Sequence, residues 1–144
     1  MKNFFITCVL AFSLCGCANE VAPVPNKIVG TWELIYAETI ENDSLEVKDL
    51  SNTRFIKIIN NSHFSFFNQD KNSSEEFYGG AGTYSLINNN YIETLHFTPT
   101  DALRNHRFPF RVEFKGDTLI QSGLEEVEAA GLKRNIVEKY IRFK

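Results

Sequence analysis

What the chain lacks narrows it more than what it contains. Of its 144 residues only three are cysteine, and Cys8, Cys15 and Cys17 all fall within the first seventeen positions. The remainder therefore offers no disulfide scaffold, no cysteine-ligated metal or iron–sulfur centre and no thiol nucleophile. Acidic residues are missing from residues 1–16, which carry one Lys and a dense apolar run. Elsewhere there is no apolar run of the roughly 20 residues needed to cross a hydrocarbon layer about 30 Å thick. A basic excess is lacking as well. With Lys2 set aside, fourteen basic residues face eighteen acidic ones, a net charge of −4. That balance disfavours nonspecific attachment to nucleic acid or to an anionic bilayer, and no nucleic-acid partner is expected. Met and Trp occur once each, against 13 Phe and 5 Tyr, an aromatic weighting that favours β-structure.

Residues 1–16 read as an export signal. Lys2 supplies the positive end, and Phe4 to Leu14 is an apolar segment. At about 1.5 Å per residue that segment is too short to span a membrane, but it suits a removable signal. Leu14-Cys15-Gly16-Cys17 resembles the bacterial lipobox, with an aliphatic residue at −3, a small one at −1 and Cys at +1. The resemblance implies cleavage after Gly16 and acylation of Cys17. Cleavage before Cys15 would place the large Leu14 at −1. An ordinary secretory signal with incidental cysteines is the alternative. Ala18 follows the cysteine where Asp would often mean inner-membrane retention, so the expected location is the outer membrane; Glu20 alone, without the acidic cluster that marks surface export in some bacterial groups, points to the periplasmic face, with surface exposure as the alternative. Residues 17–26, short and Pro-containing without apolar periodicity, read as a tether. Residues 27–144 then form one domain, long enough for a core of its own.

Within that domain, alternation and turn residues place successive strands. They run over Trp32–Glu41, Thr53–Asn60, His63–Gln69, Phe77–Ile87, Tyr91–Thr98, Arg107–Lys115, Thr118–Ser122 and Ile136–Phe143. Asn60-Asn61-Ser62, Asn88-Asn89-Asn90 and Gly116-Asp117 supply hairpin turns, because Asn and Gly tolerate positive φ. Two short helices are expected, a single turn over Pro99–Arg104 and a longer piece over Leu124–Ala130. The latter has capping-box spacing at Ser122 to Glu125 and Gly131 as its C-cap. Asp70 to Glu76 reads as a polar loop. The expected architecture is all-β, an antiparallel up-and-down meander whose eight or so strands close into a barrel and remove exposed edges.

Strand parity assigns faces. Around Asn89 it groups Gly82, Tyr84 and Leu86 with Glu93, Leu95 and Phe97. Phe108, Phe110, Val112 and Phe114 share one face and point inward. In the Thr53 to Gln69 hairpin, Phe55, Ile59, Phe64 and Phe66 share a face, but Ile56, Ile58 and Phe67 make the other apolar too.

Gly30-Thr31-Trp32 at the head of the first strand resembles the G-x-W signature of lipocalins. Gly82-Thr83-Tyr84 followed by Tyr91-Ile92-Glu93 is similar to the middle hairpin of the small lipocalin-like lipoproteins of Bacteroidetes-type bacteria. Glu138 to Arg142 resembles the closing strand of that family, with Tyr140 where Trp is frequent. The resemblance covers most of residues 27–144. It implies a lipocalin-like barrel in which Arg142 from the last strand covers Trp32 at the closed end, making Gly30, Trp32 and Arg142 an architectural signature.

Candidate chemistry is sparse. His63, His96 and His106 have no metal-ligand spacing, and no HExxH, EF-hand or G-x-S-x-G pattern occurs. Gly79-Gly80-Ala81-Gly82 runs on as strand, not into the helix that a phosphate cradle requires, and suggests a bulge or close backbone approach at the barrel rim. No metal, cofactor or catalytic residue is expected. Glu93 stands out as a carboxylate on an apolar face, which is costly unless paired. It is either a polar anchor in a ligand cavity, a partner for an interior Tyr or Arg, or a rim residue. The functional expectation is a lipid-anchored, non-catalytic binder of a small, largely apolar molecule, lined by Tyr84, Glu93, Leu95, Phe97, Phe108 and Phe110. The alternative is an envelope-structural or protein-interaction module whose barrel is filled by its own side chains.

Overall fold

The computed structural model describes residues 26–75 and 77–144; the expected signal and Cys17 lie outside them. The described residues form nine strands: β1 (Gly30–Glu41), β2 (Ser44–Val47), β3 (Thr53–Ile59), β4 (His63–Asp70), β5 (Tyr78–Ile87), β6 (Asn90–Phe97), β7 (His106–Lys115), β8 (Thr118–Val127) and β9 (Leu132–Arg142). All pairings are antiparallel. The order runs β2-β1-β3-β4-β5-β6-β7-β8-β9, and β1 pairs with β9. Eight strands thus close an up-and-down barrel within residues 30–142, and β2 is an added hairpin arm on β1. Besides the strands, the described residues hold only two 3-10 turns, Asp101–Leu103 and Glu128–Ala130. No helix among the described residues is long and apolar enough to cross a membrane.

Turn chemistry sets the hairpins. Ile87 pairs directly with Asn90, leaving Asn88-Asn89 as a two-residue loop with Asn88 at φ 55°. Gly116-Asp117 joins Lys115 to Thr118 in the same way. Asn42 and Asp43, at φ 49° and 59°, make the β1–β2 turn, where positive φ at both positions matches strand twist. Ser44 is exposed just beyond it.

The expected helix over Leu124–Ala130 is replaced by strand. Residues Leu124 to Val127 continue β8 and pair with Leu132 to Asn135 of β9. The acidic run that resembles a solvated helix face is instead half of a cross-strand charge ladder. Glu125 meets Arg134 at 2.6 Å, and Glu126 meets Lys133 at 2.6 Å. Directly opposed unlike charges favour strand pairing. Only then does the chain turn, with Gly131 in the left-handed region at φ 61°.

Two irregularities reset the faces. Ile35 is extra between the β1–β9 pairs Leu34/Tyr140 and Tyr36/Lys139, so both Leu34 and Ala37 point inward. His96 is extra in β6, between the pairs Gly82/Leu95 and Ala81/Phe97. A Cβ on Gly82 would collide with the carbonyl oxygen of Thr94, so the close approach at this bulge requires glycine, as the glycine-rich stretch suggests.

The core is densest at one end. Trp32, Ile59, Tyr91, Leu119 and Tyr140 are buried there with Ile28. Arg142 lies over the Trp32 ring at 3.9 Å from its centroid. It also donates to the carbonyls of Val29 and Lys27 at 2.6 and 2.7 Å. Trp32 Nε1 donates to Ile28 O at 2.8 Å. Gly30, at φ 149°, leaves the space that the guanidinium fills. First strand, last strand and the segment before β1 are thereby tied into a plug.

Candidate functional site: the barrel lumen

Above this plug a belt of polar side chains crosses the barrel. Lys57 comes from β3, Glu93 from β6, Gln121 from β8 and Glu138 from β9. Lys57, Glu93 and Gln121 are only 3%, 6% and 3% exposed. Lys57 Nζ forms a close ion pair with Glu93 Oε1 and donates to Gln121 Oε1 at 2.8 Å. The rings of Phe64, Tyr91 and Tyr140 surround its ammonium at 5.5 to 5.9 Å, a supporting cation–π shell. The Tyr91 hydroxyl lies beside the Glu93 carboxylate, whose charge acts on it. Glu138 has no Lys or Arg within ion-pair distance among these residues and accepts from the Tyr140 hydroxyl at 2.6 Å.

Titration follows this burial. Desolvation pushes the Glu138 carboxyl above its ordinary range, opposed by the Lys57 charge and the Tyr140 hydrogen bond and reinforced by Glu125 and Glu93. Burial likewise raises the Tyr91 and Tyr140 phenols, with Glu93 and Glu138 respectively adding to the shift. Both phenols remain neutral donors at neutral pH.

The belt is the floor of a cavity of about 190 Å³. Phe55, Phe66, Phe108 and Phe110 form much of its wall, with Leu95 beside them. Tyr78, Leu103 and Leu132 stand at its mouth, together with the Glu125–Arg134 pair. A second chamber of about 230 Å³ shares Phe55, Tyr78, Glu125, Arg134 and Glu138 with the first. It opens where β1 leaves β3: Gly30 to Glu33 pair with β3, whereas Glu38 to Glu41 pair with β2. Glu38, Glu41, Glu46 and Lys48 line this outer chamber. The lumen is therefore aromatic in its walls, charged at its floor and acidic at its entrance, and it opens away from Trp32.

Of the residues expected to line it, Glu93, Leu95, Phe108 and Phe110 do so. Tyr84 does not. It faces inward nearer the plug, packs its ring 5.1 Å from Tyr91 and donates to Asn60 O at 2.7 Å. Phe97 does not either. The bulge at His96 reverses parity beyond Leu95 and leaves Phe97 72% exposed. Glu93 pairs with a lysine that sequence reasoning did not name, and the interior Tyr91 stands beside it. Lys57, Gln121 and Glu138 are the residues that sequence reasoning missed. A signal for Lys57 was present, since it shares the parity of Phe55 and Ile59. The three histidines stay apart: His63 contacts Ser62, His96 bridges Thr83 and Asn105, and His106 packs tilted against Phe108. Among the described residues, no group of three or more His, Cys, Asp or Glu side chains is placed to hold a metal.

Fold and site together define a closed eight-stranded antiparallel barrel with a lumen open at one end. Residues 27–144 match the model of a family described as "Domain of unknown function (DUF4488)". The chain belongs to that family, and the matched segment is the whole barrel. No curated protein sequence matches the chain.

Proposed function

We propose that this protein is a lipid-anchored, lipocalin-like lipoprotein of the outer membrane whose barrel binds a small, largely apolar molecule without transforming it. The observation that carries the binding reading is the lumen itself: an aromatic-walled cavity of about 190 Å³ with buried polar groups at its floor. Ligand sites combine apolar walls with a few convergent polar groups in this manner. An empty apolar cavity of about 150 Å³ admits benzene, so the inner chamber suits a ring or short chain. A larger ligand would continue into the outer chamber. The buried polar groups at the floor, Lys57, Glu93 and Gln121, support a bound polar group or water there.

The test uses the purified barrel, residues 26–144, because sheet closure and plug are complete within it. N-phenyl-1-naphthylamine, a neutral apolar fluorophore, should bind saturably at about one per chain. Phe110→Trp should weaken it at least fivefold by narrowing the inner chamber, with folding checked first because overpacking costs about 1–3 kcal/mol. Absence of saturable binding to well-folded protein would favour the structural-module alternative, whose filled barrel the packed plug already resembles.

The anchor is tested separately. Leu14 to Cys17 supports acylation, and several acyl chains at about 0.8 kcal/mol per buried methylene hold a protein on a membrane. Cys17→Ser should release the protein from the membrane fraction or leave it unprocessed. A lipidated mature N-terminus in that variant, seen by mass spectrometry, would remove the assignment.

A further inference from the structure

We infer that the ligand of this lumen carries a protonated amine head, which sits on the Glu93 and Glu138 carboxylates while its apolar body lies among Phe66, Phe108 and Phe110. The inference rests on the binding reading above and names the ligand's chemical class. Three observations converge on it.

The first is charge. The floor holds two carboxylates and one ammonium. Lys57 is committed to Glu93 and Gln121, and Glu138 has no cationic partner among the described residues. The mouth adds no balance, since Glu125 and Arg134 neutralise each other. By formal charge, one negative charge is therefore left over inside an aromatic cavity. An anionic head would have to take Lys57 from Glu93 and leave two buried carboxylates unpaired, an arrangement of high cost.

The second is hydrogen-bonding capacity. Glu138 lines the cavity and, among the described residues, accepts one hydrogen bond, at Oε2 from the Tyr140 hydroxyl, so lone pairs of its carboxylate stay open towards the lumen. Ionised carboxylates accept only. The head that completes this floor must bring N–H or O–H donors, and an ammonium brings three with the complementary charge.

The third is the path inward. Glu38, Glu41 and Glu46 against Lys48 make the outer chamber acidic. Clefts of one sign concentrate ligands of the other. Aromatic faces along the wall, Tyr78 and Phe55 among them, are compatible with a passing cation. Beside the head the inner chamber takes about one ring or a short chain, so the simplest probes of the class are small arylalkyl- or alkylammonium ions.

Benzylammonium, benzyl alcohol and benzoate have similar size and differ in head charge. Their dissociation constants on the barrel are to be measured by titration calorimetry at pH 7.5 and low salt, with displacement of N-phenyl-1-naphthylamine as a second readout. Benzylammonium should bind at least tenfold tighter than benzyl alcohol, about 1.4 kcal/mol, and benzoate weakest. Glu138→Gln should bring the amine to within threefold of the alcohol while leaving the alcohol unchanged. If that variant fails to fold, the three ligands on the unaltered protein decide alone. Equal or tighter binding of the alcohol or benzoate overturns the amine assignment and leaves the binding reading standing. Binding of none of the three, nor of the naphthylamine, overturns both.

Discussion

Lys57→Met tests the polar belt most directly. Met keeps the length and apolar stem of Lys but removes the ammonium. In the folded protein that ammonium is 3% exposed, pairs with Glu93, donates to Gln121 at 2.8 Å and is ringed by three aromatic faces. Its loss leaves Glu93 and Glu138 facing one lumen with no cation between them. Removing one partner of a buried ion pair costs about 3–5 kcal/mol, because the remaining charge stays desolvated. For a domain of this size each kcal/mol moves the melting temperature by about 4 °C, so a fall of about 12–20 °C is expected at pH 8.

The loss should shrink on acidification. Burial already raises Glu138 above its ordinary value of 4.5, and Lys57 is the first-ranked group opposing that shift. Without Lys57 the folded-state value rises further. The groups facing Glu138 are then Glu93 from β6, Glu125 from β8 and the Tyr140 hydroxyl from β9. A carboxyl whose folded pKa exceeds its unfolded one binds more protons when folded. Stability therefore falls as pH rises from the unfolded value through the folded one, and it is highest on the acid side. Melting temperatures of both proteins at pH 5 and pH 8, followed by circular dichroism, give the comparison. A drop below about 4 °C at pH 8, or an equal drop at both pH values, would refute the picture of a desolvated belt held by Lys57.

Arg142→Ala removes a guanidinium 3.9 Å from the Trp32 ring centroid and two carbonyl contacts. It should cost about 2 kcal/mol, the cation–π part being about 0.5–1 at a partly exposed site, and it should shift Trp emission. Unchanged melting and unchanged emission together would mean that the plug does not depend on this arginine. Gly82→Ala places a methyl against the Thr94 carbonyl, where only backbone can yield. A loss of about 2–3 kcal/mol should appear in urea unfolding, and a neutral result would mean that β5 and β6 are not so close at the bulge.

Much of this protein was legible in its sequence because the determinants are local. Period-two alternation with Asn and Gly at turns specifies an antiparallel meander, and each hairpin of β3 to β8 follows from its own residues and turn. Parity placed Phe108, Phe110, Leu95 and Glu93 on the inner face. The G-x-W and closing-strand resemblance placed Arg142 over Trp32.

Three things were decided only in the tertiary structure. Bulges at Ile35 and His96 reverse parity. A single inserted residue leaves no mark in a hydrophobicity pattern but turns every later side chain to the other face, which is why Phe97 lies outside. Glu125 and Glu126 fit a capped helix when read along the chain. Their partners Arg134 and Lys133 lie across a turn, and the cross-strand pairing settles β-structure. The site itself is non-local. Lys57, Glu93, Gln121 and Glu138 come from four different strands, and Lys57 and Gln121 are 64 positions apart. Between bulges, sequence determines which face each residue takes, since that depends on neighbours along the chain. Which faces meet, and whether their charges cancel, is set by barrel closure and shear, and these fix the leftover carboxylate at the floor of the lumen.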